Sequence, residues 1–130
     1  MSALSDYAEN KVLNALLGNA TFTTPSNVYV GLATASFNDD GSGTELSGNN
    51  YSRVSASFTS ATGTGGTTSN SSAIEFAAAT GSWGSVSHFG LFDASTSGNL
   101  LCHGAFSSAK TITTGDILRI ATGELDVTIA

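Results

Sequence analysis

The spacing of apolar side chains along the chain changes once, near residue 27. Over residues 5–17 the apolar residues recur at the spacing of one helical face, with acids near the start and Gly18 placed as a C-terminal cap. From "VYVGLA" (28–33) onward the alternation has the period of a strand, and the helical spacing does not return. The pattern therefore predicts an N-terminal helix over 5–17 and a β-domain over 27–130. The apolar residues of the predicted helix are Ala8, Val12, Leu13, Leu16 and Leu17.

Short apolar runs separated by turn sequences fill the rest of the chain. Seven or eight short strands joined by turns are typical of two-layered or jelly-roll-like β-proteins. We therefore expect one domain over residues 1–130, mainly β, with an antiparallel β-sandwich or jelly-roll-like arrangement of 7–8 strands and one N-terminal α-helix. The predicted strands are 28–33, 51–58, a weaker one at 73–76, 85–92, 100–106, 110–113, 117–121 and 124–129.

Turn and loop sequences separate the predicted strands. Glycines in "TTGD" (113–116) and "ATGE" (121–124), together with "ASTSGN" (94–99), predict consecutive hairpins in the last third of the chain. Two longer stretches, 38–50 and 60–70, consist of residues that turn easily and pack poorly. We expect both to be exposed loops, and the first is long enough to be a functional or contact loop.

Charge is scarce in this chain and mostly negative. Only 11% of the residues are charged, against about 25% in a typical domain, and the formal net charge is −6. The four cations, Lys11, Arg53, Lys110 and Arg119, form no basic run, so direct binding to nucleic acid is not expected. The N-terminus lacks the positive charge of a signal peptide, and no apolar run approaches the ~18 residues of a membrane span. We therefore expect synthesis in the cytoplasm and no membrane partner.

Most of the residue types that carry chemistry lie in the segment 82–104. This segment holds the one Trp, both His and the one Cys of the chain. An enzyme would pair Cys102 as nucleophile with His88 or His103 as base and with Asp93 as the group that orients the base. Adjacent residues of a strand point to opposite faces, however, so Cys102 and His103 cannot meet. The pattern gives little support for an enzyme.

Packing roles explain the same residues better. Cys102 shares a strand face with Leu100, which is a core position, and a single cysteine cannot close a disulfide within the chain. His88 shares a face with Val86, where a hydrogen-bonded structural histidine is common. Trp83 stands near the start of a strand and is expected in the core or at a subunit contact rather than as a platform for a sugar.

Metal ligands and phosphate loops do not occur at a recognised spacing. The 38–50 loop gathers Asp39, Asp40 and Glu45, which are oxygen ligands of the kind calcium takes, but not at the spacing of an EF-hand. A site of two histidines and one acid lacks a motif such as His-x-x-x-His. "GTGG" (63–66) lacks the lysine that follows in a phosphate-binding loop. We therefore expect no catalytic residues, no cofactor and no metal.

Several stretches of the chain together carry a family resemblance. They are "LSDYAENKVLNALLG", "VYVGLAT", "SGNNYSRVS", "AAATGSWGSVSHFGLFDASTSGNLLCHGAF" and "TITTGDILRIATGELDVTIA". With these segments, from Leu4 to Ile129, the chain resembles a family of small tailed-bacteriophage structural proteins that are usually described as tail fibre proteins. The most specific piece is Trp83-Gly84 with the "VSHFGLFDA" that follows.

The resemblance implies a non-enzymatic structural protein of the virion, made in the host bacterial cytoplasm, that functions through interfaces. The chain has no heptads or repeats from which to build a long shaft, so we favour a capsid decoration (cement) protein. Such a protein would bind the lattice of the major capsid protein as a symmetric homo-oligomer, with a trimer favoured. A tail or tail-fibre-associated protein, bound to tail proteins, is the alternative within this class.

Two further questions stay open at the level of sequence. A lectin-like module that binds a host receptor would use the 38–50 loop, Trp83 and exposed tyrosines. The helix face of Leu13, Leu16 and Leu17 must be covered either by the β-domain of the same chain or by another subunit. In the second case the helix is the clamp that holds the assembly together.

Overall fold

The computed structural model describes residues 2–63 and 65–129 of the 130-residue chain. The described residues form one helix and nine strands, and every strand pair is antiparallel. In chain order the elements are β1 (Ser2–Leu4), α1 (Asp6–Leu16), β2 (Val28–Ala33), β3 (Val54–Ala56), β4 (Thr67–Ser69), β5 (Ile74–Glu75), β6 (Gly84–Phe92), β7 (Leu100–Ile112), β8 (Arg119–Ile120) and β9 (Asp126–Thr128).

Helix α1 begins and ends where the local sequence dictates. Ser5 is the N-cap, and its Oγ accepts a hydrogen bond from the backbone N–H of Ala8 at 3.2 Å. Both acids of the first turn lie where the helix dipole favours negative charge. Gly18 follows the helix with φ of +74°, the left-handed conformation that commonly ends a helix. The predicted helix over 5–17 is confirmed to within one residue at each end.

The main sheet has five strands in the order β1-β7-β6-β2-β3. Directly paired residues share a face, so one row of partners can be followed across all five strands. This row lies on the face that packs against the main core. Its members are Leu4, Cys102, Leu91, Val30 and Val54.

Two small sheets, β4–β9 and β5–β8, complete the β-structure. Ile74 of β5, Ile120 of β8 and Val127 of β9 are buried in the same cluster as the core face of the main sheet. The large and small sheets thus share one core, which gives a two-layered arrangement. The prediction of a mainly antiparallel β-fold with one N-terminal helix is confirmed, and the jelly-roll-like arrangement stays a prediction.

The opposite face of the main sheet carries a second, smaller cluster. Ala33, Phe37, Phe92 and Leu100 are buried there, and the rings of Phe37 and Phe92 meet edge to face at 5.7 Å. A Cβ at Gly90 would lie 2.9 Å from both Leu100 Cδ1 and Phe92 Cε2. The central strand therefore needs glycine at this position, because the side chains of the cluster lie directly on its backbone.

Several predicted elements need correction. Strand β1 was not predicted, because three residues are too few for a periodic pattern and only pairing with β7 fixes them. Strand β4 lies inside the predicted 60–70 loop, where β-branched Thr67 pairs with Thr128 of β9. The predicted strands 100–106 and 110–113 are one strand, β7. The predicted strands 51–58, 73–76, 117–121 and 124–129 are each shorter than expected.

Irregular pairing between β6 and β7 reverses two predicted faces. A register shift between Val86 and His88 places Val86 and Phe89 in the main core, so His88 does not share a face with Val86 as predicted. A second shift, near the start of β7, places Cys102 in the main core and Leu100 in the smaller cluster, not on one face. Unpaired extra residues in a ladder reverse the alternation of faces, and a simple period of two does not reveal them.

Candidate functional site

The candidate nucleophile and bases lie apart in the fold. Cys102 is in the main core, where burial raises the pKa of its thiol to about 11 and keeps it protonated at neutral pH. His103 has its Nε2 2.7 Å from Asp39 Oδ1. His88 has its Nδ1 2.7 Å from Ser87 Oγ. The expectation that Cys102 and His103 point to opposite faces is confirmed, and each histidine has a local partner.

Asp93 organises the turn between β6 and β7. Its Oδ1 accepts a hydrogen bond from the backbone N–H of Asn99 at 2.7 Å, and its Oδ2 accepts one from the side-chain amide of Asn99 at 2.9 Å. Partial burial on its own would raise the pKa of Asp93, but these hydrogen bonds hold it below its usual value. Within the turn, Ser97 and Gly98 both have positive φ. Asp93 thus fixes a turn and does not orient a histidine.

Trp83 is buried in an aromatic cluster. Its ring meets Tyr51 edge to face at 5.5 Å and Phe76 at 6.4 Å, and its Nε1–H donates to the carbonyl oxygen of Asn49 at 3.0 Å. The expectation of a packing role for Trp83 is confirmed. Its ring has no open face for a sugar, and the three tyrosines of the chain are half-buried. Of the residues predicted to form a lectin-like site, only those of the 38–50 loop are therefore accessible to a sugar.

The acids of the 38–50 loop are each bound to protein groups. Asp39 contacts a histidine of β7, and Asp40 Oδ1 accepts the backbone N–H of Ser42 at 2.8 Å. The side-chain and backbone hydrogen bonds with Ser42 lower the pKa of Asp40. Glu45 forms an ion pair with Arg53. Over residues 2–63 and 65–129, no three His, Cys, Asp or Glu side chains are grouped so as to hold a metal ion.

Arg53 is the centre of a polar network that the sequence did not reveal. Its Nε and Nη2 donate to the carboxylate of Glu45 at 2.8–3.2 Å, and its Nη1 donates to the carbonyl oxygens of Ala94 and Ser97 at 2.8 Å. The guanidinium carbon lies 3.5 Å from the ring centroid of Phe92. Only 8% of the Arg53 side chain is exposed. A buried bidentate pair of this kind positions its loops rigidly.

Tyr51 extends this network into the main sheet. Its hydroxyl donates to Glu45 Oε2 at 2.6 Å and accepts the backbone N–H of Leu32 at 2.8 Å. Burial, and then the bond to Glu45, raise the pKa of Tyr51 far above its usual value. A cavity of about 360 Å³ lies beside the network, between the 38–50 loop and the 94–99 turn. In the sequence Arg53 is only a scattered cation, because nothing in the local pattern marks Glu45, eight residues earlier, as its partner.

Helix α1 presents an apolar surface that the described chain leaves uncovered. Leu13, Leu16 and Leu17 are 55%, 76% and 70% exposed, and we call these three residues the leucine row. Ala8 is buried on the other face of the helix, against the β-domain. Coverage of the leucine row by the β-domain of its own chain, one of the two options left open by the sequence, is therefore wrong. Its position at i, i+3 and i+4 on one helix face is typical of a contact with another protein surface.

A comparison with family models shows to which protein family the chain belongs. A family model described as "Podophage GP4 fiber I protein gp80" matches residues 3–128. The chain belongs to this fibre protein family. No curated protein matches the chain. The resemblance to phage tail fibre proteins noted in the sequence is confirmed over nearly the full length.

Membership in the fibre family identifies the chain as a phage structural protein of the virion. The name of the family points to a fibre, and it does not support decoration of the capsid. In the described part of the chain, the one helix is too short to cross a bilayer. The candidate site of this fibre family member is thus a surface on α1, rather than the segment 82–104 in which the sequence gathers reactive residue types.

Proposed function

We propose that the chain is a non-enzymatic building block of a phage fibre, and that it acts through contacts between protein surfaces. The exposed leucine row carries this proposal. Complete burial of one leucine side chain is favourable by about 1.5–3 kcal/mol relative to its exposure to water. Three neighbouring exposed leucines are therefore unfavourable until a partner buries them. A domain that displays such a row is suited to a state in which another protein covers it.

The contacts of the candidate reactive groups support a structural role. The Cys102 thiol is buried with a raised pKa, and Asp93 is bound to a turn amide. Arg53, the most buried cation of the described residues, is paired with Glu45. These side chains hold loops and core in place. Function therefore resides in the outer surface of the domain.

Attachment to phage particles tests the proposed function. Labelled protein is mixed with particles that lack their fibres and, separately, with empty capsids without tails, and its position is located by electron microscopy. We expect binding at fixed positions on the tail or at a fibre attachment point. The variant Leu16→Glu is expected to bind at least ~10-fold more weakly, because it places a charge in the leucine row.

The other outcomes contradict the proposal in distinct ways. Saturation of the capsid surface at a fixed copy number would replace it with capsid decoration on the major capsid protein lattice. Binding to host cells or isolated glycans, with no binding to particles, would replace it with the receptor-binding module. The variant Ile117→Glu is the matched control, since it also adds one negative charge at an exposed apolar residue but lies outside α1.

A further inference from the structure

A cleft lies between strand β9 and the edge of β7 that faces away from β6. Side chains within 105–110 and 118–126 line this cleft, and its volume is about 360 Å³. Volumes of about 300–1,000 Å³ are typical of binding sites. We call this feature the β7–β9 cleft. Its floor consists of core side chains that are themselves buried, namely Val86, Phe89, Leu118, Ile120 and Leu125. An apolar side chain that entered the cleft would therefore contact the main core.

Strand β1 fills one end of the gap between β7 and β9. Ser2 pairs with Gly104 of β7, and its Oγ accepts a hydrogen bond from the backbone N–H of Thr128 in β9 at 2.9 Å. Because β1 runs antiparallel to β7, the line of β1 continued backwards from Ser2 passes Ala105 and enters the β7–β9 cleft. β1 thus shows what this gap accepts, which is an extended segment between two strands.

The backbone groups of β9 that border the cleft have no partner strand. Thr128 directs its N–H and its carbonyl oxygen to Ser2 Oγ, at 2.9 and 3.4 Å. The N–H of the next residue points the other way, to the carbonyl oxygen of Gly66. Alternate residues of a strand direct their backbone groups to the same side, so those of Asp126 also point toward the cleft. Within the described part of the chain, β9 pairs with β4 alone.

The facing edge of β7 is also open. β1 covers this edge only at 102–104, and no described strand pairs with residues 105–111 on this side. One residue of β6, Ser87, lies opposite four residues of β7, 106–109, so β7 bulges at this point and forms a wall of the cleft. Bulges at sheet edges interrupt pairing. The cleft is therefore suited to a short extended segment and not to the edge of another sheet.

Charged side chains on both walls narrow the sequence of such a segment. Lys110 lines the cleft, is exposed, and forms no ion pair with any described residue. Glu124 and Asp126 lie on the opposite wall and are without a cationic partner in the same part of the chain. A strand between the two walls would direct alternate side chains to the apolar floor and to solvent. The matching segment thus alternates apolar residues with charged ones of both signs.

We propose that the β7–β9 cleft binds a short extended segment of another virion protein, which adds a strand between β7 and β9 in line with β1. A second copy of the chain has no unpaired strand to offer, because each of its described strands already lies in a sheet. The choice of a virion protein as the partner rests on the proposed function. The cleft itself does not involve the leucine row.

An extension of the chain tests whether the cleft accepts a strand. About six residues, the usual length of a strand, are added at the N-terminus with valine and threonine in alternation. In one version the valines are in phase with Leu4, which packs against the core, and in the control they are shifted by one residue. We expect only the in-phase version to raise the unfolding temperature, by at least ~3 °C, and to slow hydrogen exchange at the amide of Asp126. Equal behaviour of the two versions would overturn the proposal.

Peptides that tile the other structural proteins of the phage test the partner. Each labelled peptide is mixed with the unmodified chain, and binding is followed by fluorescence anisotropy. We expect a peptide with alternating apolar residues to bind. Methylation of its alternate backbone amides is expected to weaken binding at least ~10-fold, because the hydrogen bonds of an added strand are lost. Lys110→Glu is expected to weaken binding to a similar extent, and Lys11→Glu, the same charge change on α1, is expected to have no effect.

The remaining outcomes are distinct. If no peptide binds, or if binding survives amide methylation, the added strand of a virion protein is overturned. Self-association that Lys110→Glu abolishes, with no peptide bound, would replace the partner with a second copy. A chain that binds its peptide but attaches to no phage particle would support the cleft and overturn the proposed function. Leu16→Glu is expected to bind the peptide like the unmodified chain, because the leucine row is a separate surface.

Discussion

Cys102 occupies the second position in the row of side chains that crosses all five strands of the main sheet. Its sulfur is buried in the main core between Leu4 and Leu91. Exchange of the sulfur for a hydroxyl oxygen would place a polar group where the surrounding side chains are apolar. The residue thus contributes as a small apolar side chain, although its type suggests chemistry.

We expect Cys102→Ser to lower the free energy of unfolding by about 1–3 kcal/mol, because the new hydroxyl loses its hydrogen bonds to water on folding. Denaturant unfolding of both proteins measures the difference. Cys102→Ala serves as the control, since it removes the sulfur without adding a polar atom. Equal stability of the Ser variant and the unmodified chain would mean that this part of the core admits water or offers a hydrogen-bond partner.

Among the elements, α1 depends on one residue that joins it to the main sheet. Ser5 Oγ accepts the N–H of Ala8 and donates to the carbonyl oxygen of Leu100 at the start of β7. The backbone N–H of Ser5 also donates to the carbonyl oxygen of Leu101 at 2.9 Å. The orientation of the leucine row relative to the sheet therefore depends on this cap.

We expect Ser5→Ala to cost about 1–2 kcal/mol of stability, because the helix loses its cap and a buried carbonyl oxygen loses its donor. Thermal unfolding measures the loss. The control Ser26→Ala makes the same change at an exposed serine whose hydroxyl has no hydrogen bond within the described residues. If both variants unfold at the same temperature, Ser5 does not stabilise the helix.

Prediction from the sequence worked best for elements with enough residues to show a period. The helix over 5–17 and the strands 28–33 and 85–92 were found because their apolar residues repeat several times. Strand β1 was missed because its partner β7 is distant in sequence. The Arg53–Glu45 pair was missed because no periodic pattern marks two side chains eight residues apart as partners. The candidate site was only half predicted. The leucines were singled out, but only the structure shows that the β-domain leaves them exposed.

At the scale of the whole molecule, the acidic charge links stability to pH. Hydrogen bonds hold the pKa values of Asp40, Asp93 and Asp116 below the ordinary value of 3.8. A carboxyl whose pKa is lower in the folded than in the unfolded chain contributes its full stabilisation above its unfolded pKa. This contribution is lost as the pH falls through the folded pKa. The domain is therefore expected to lose stability below about pH 4.

Below about pH 4, we expect the free energy of unfolding of Asp93→Asn to depend less steeply on pH than that of the unmodified chain. The reason is that the variant has no carboxyl to protonate at the 94–99 turn. Urea unfolding at a series of acidic pH values measures both slopes. Asp126→Asn is the control for the change in charge, since its carboxylate accepts no hydrogen bond within the described residues. Parallel curves for the unmodified chain and Asp93→Asn would contradict the prediction.

The pairing of β1 with β7 fixes an order of events during synthesis. Leu4 is made before its partner Cys102, which follows nearly a hundred residues later. At about 5–20 residues per second, the N-terminal segment waits roughly 5–20 s for its place in the sheet. During that interval the leucines of α1 have been made, but the main sheet still lacks β7. The main sheet can therefore close only after β7, its second strand, has been synthesised.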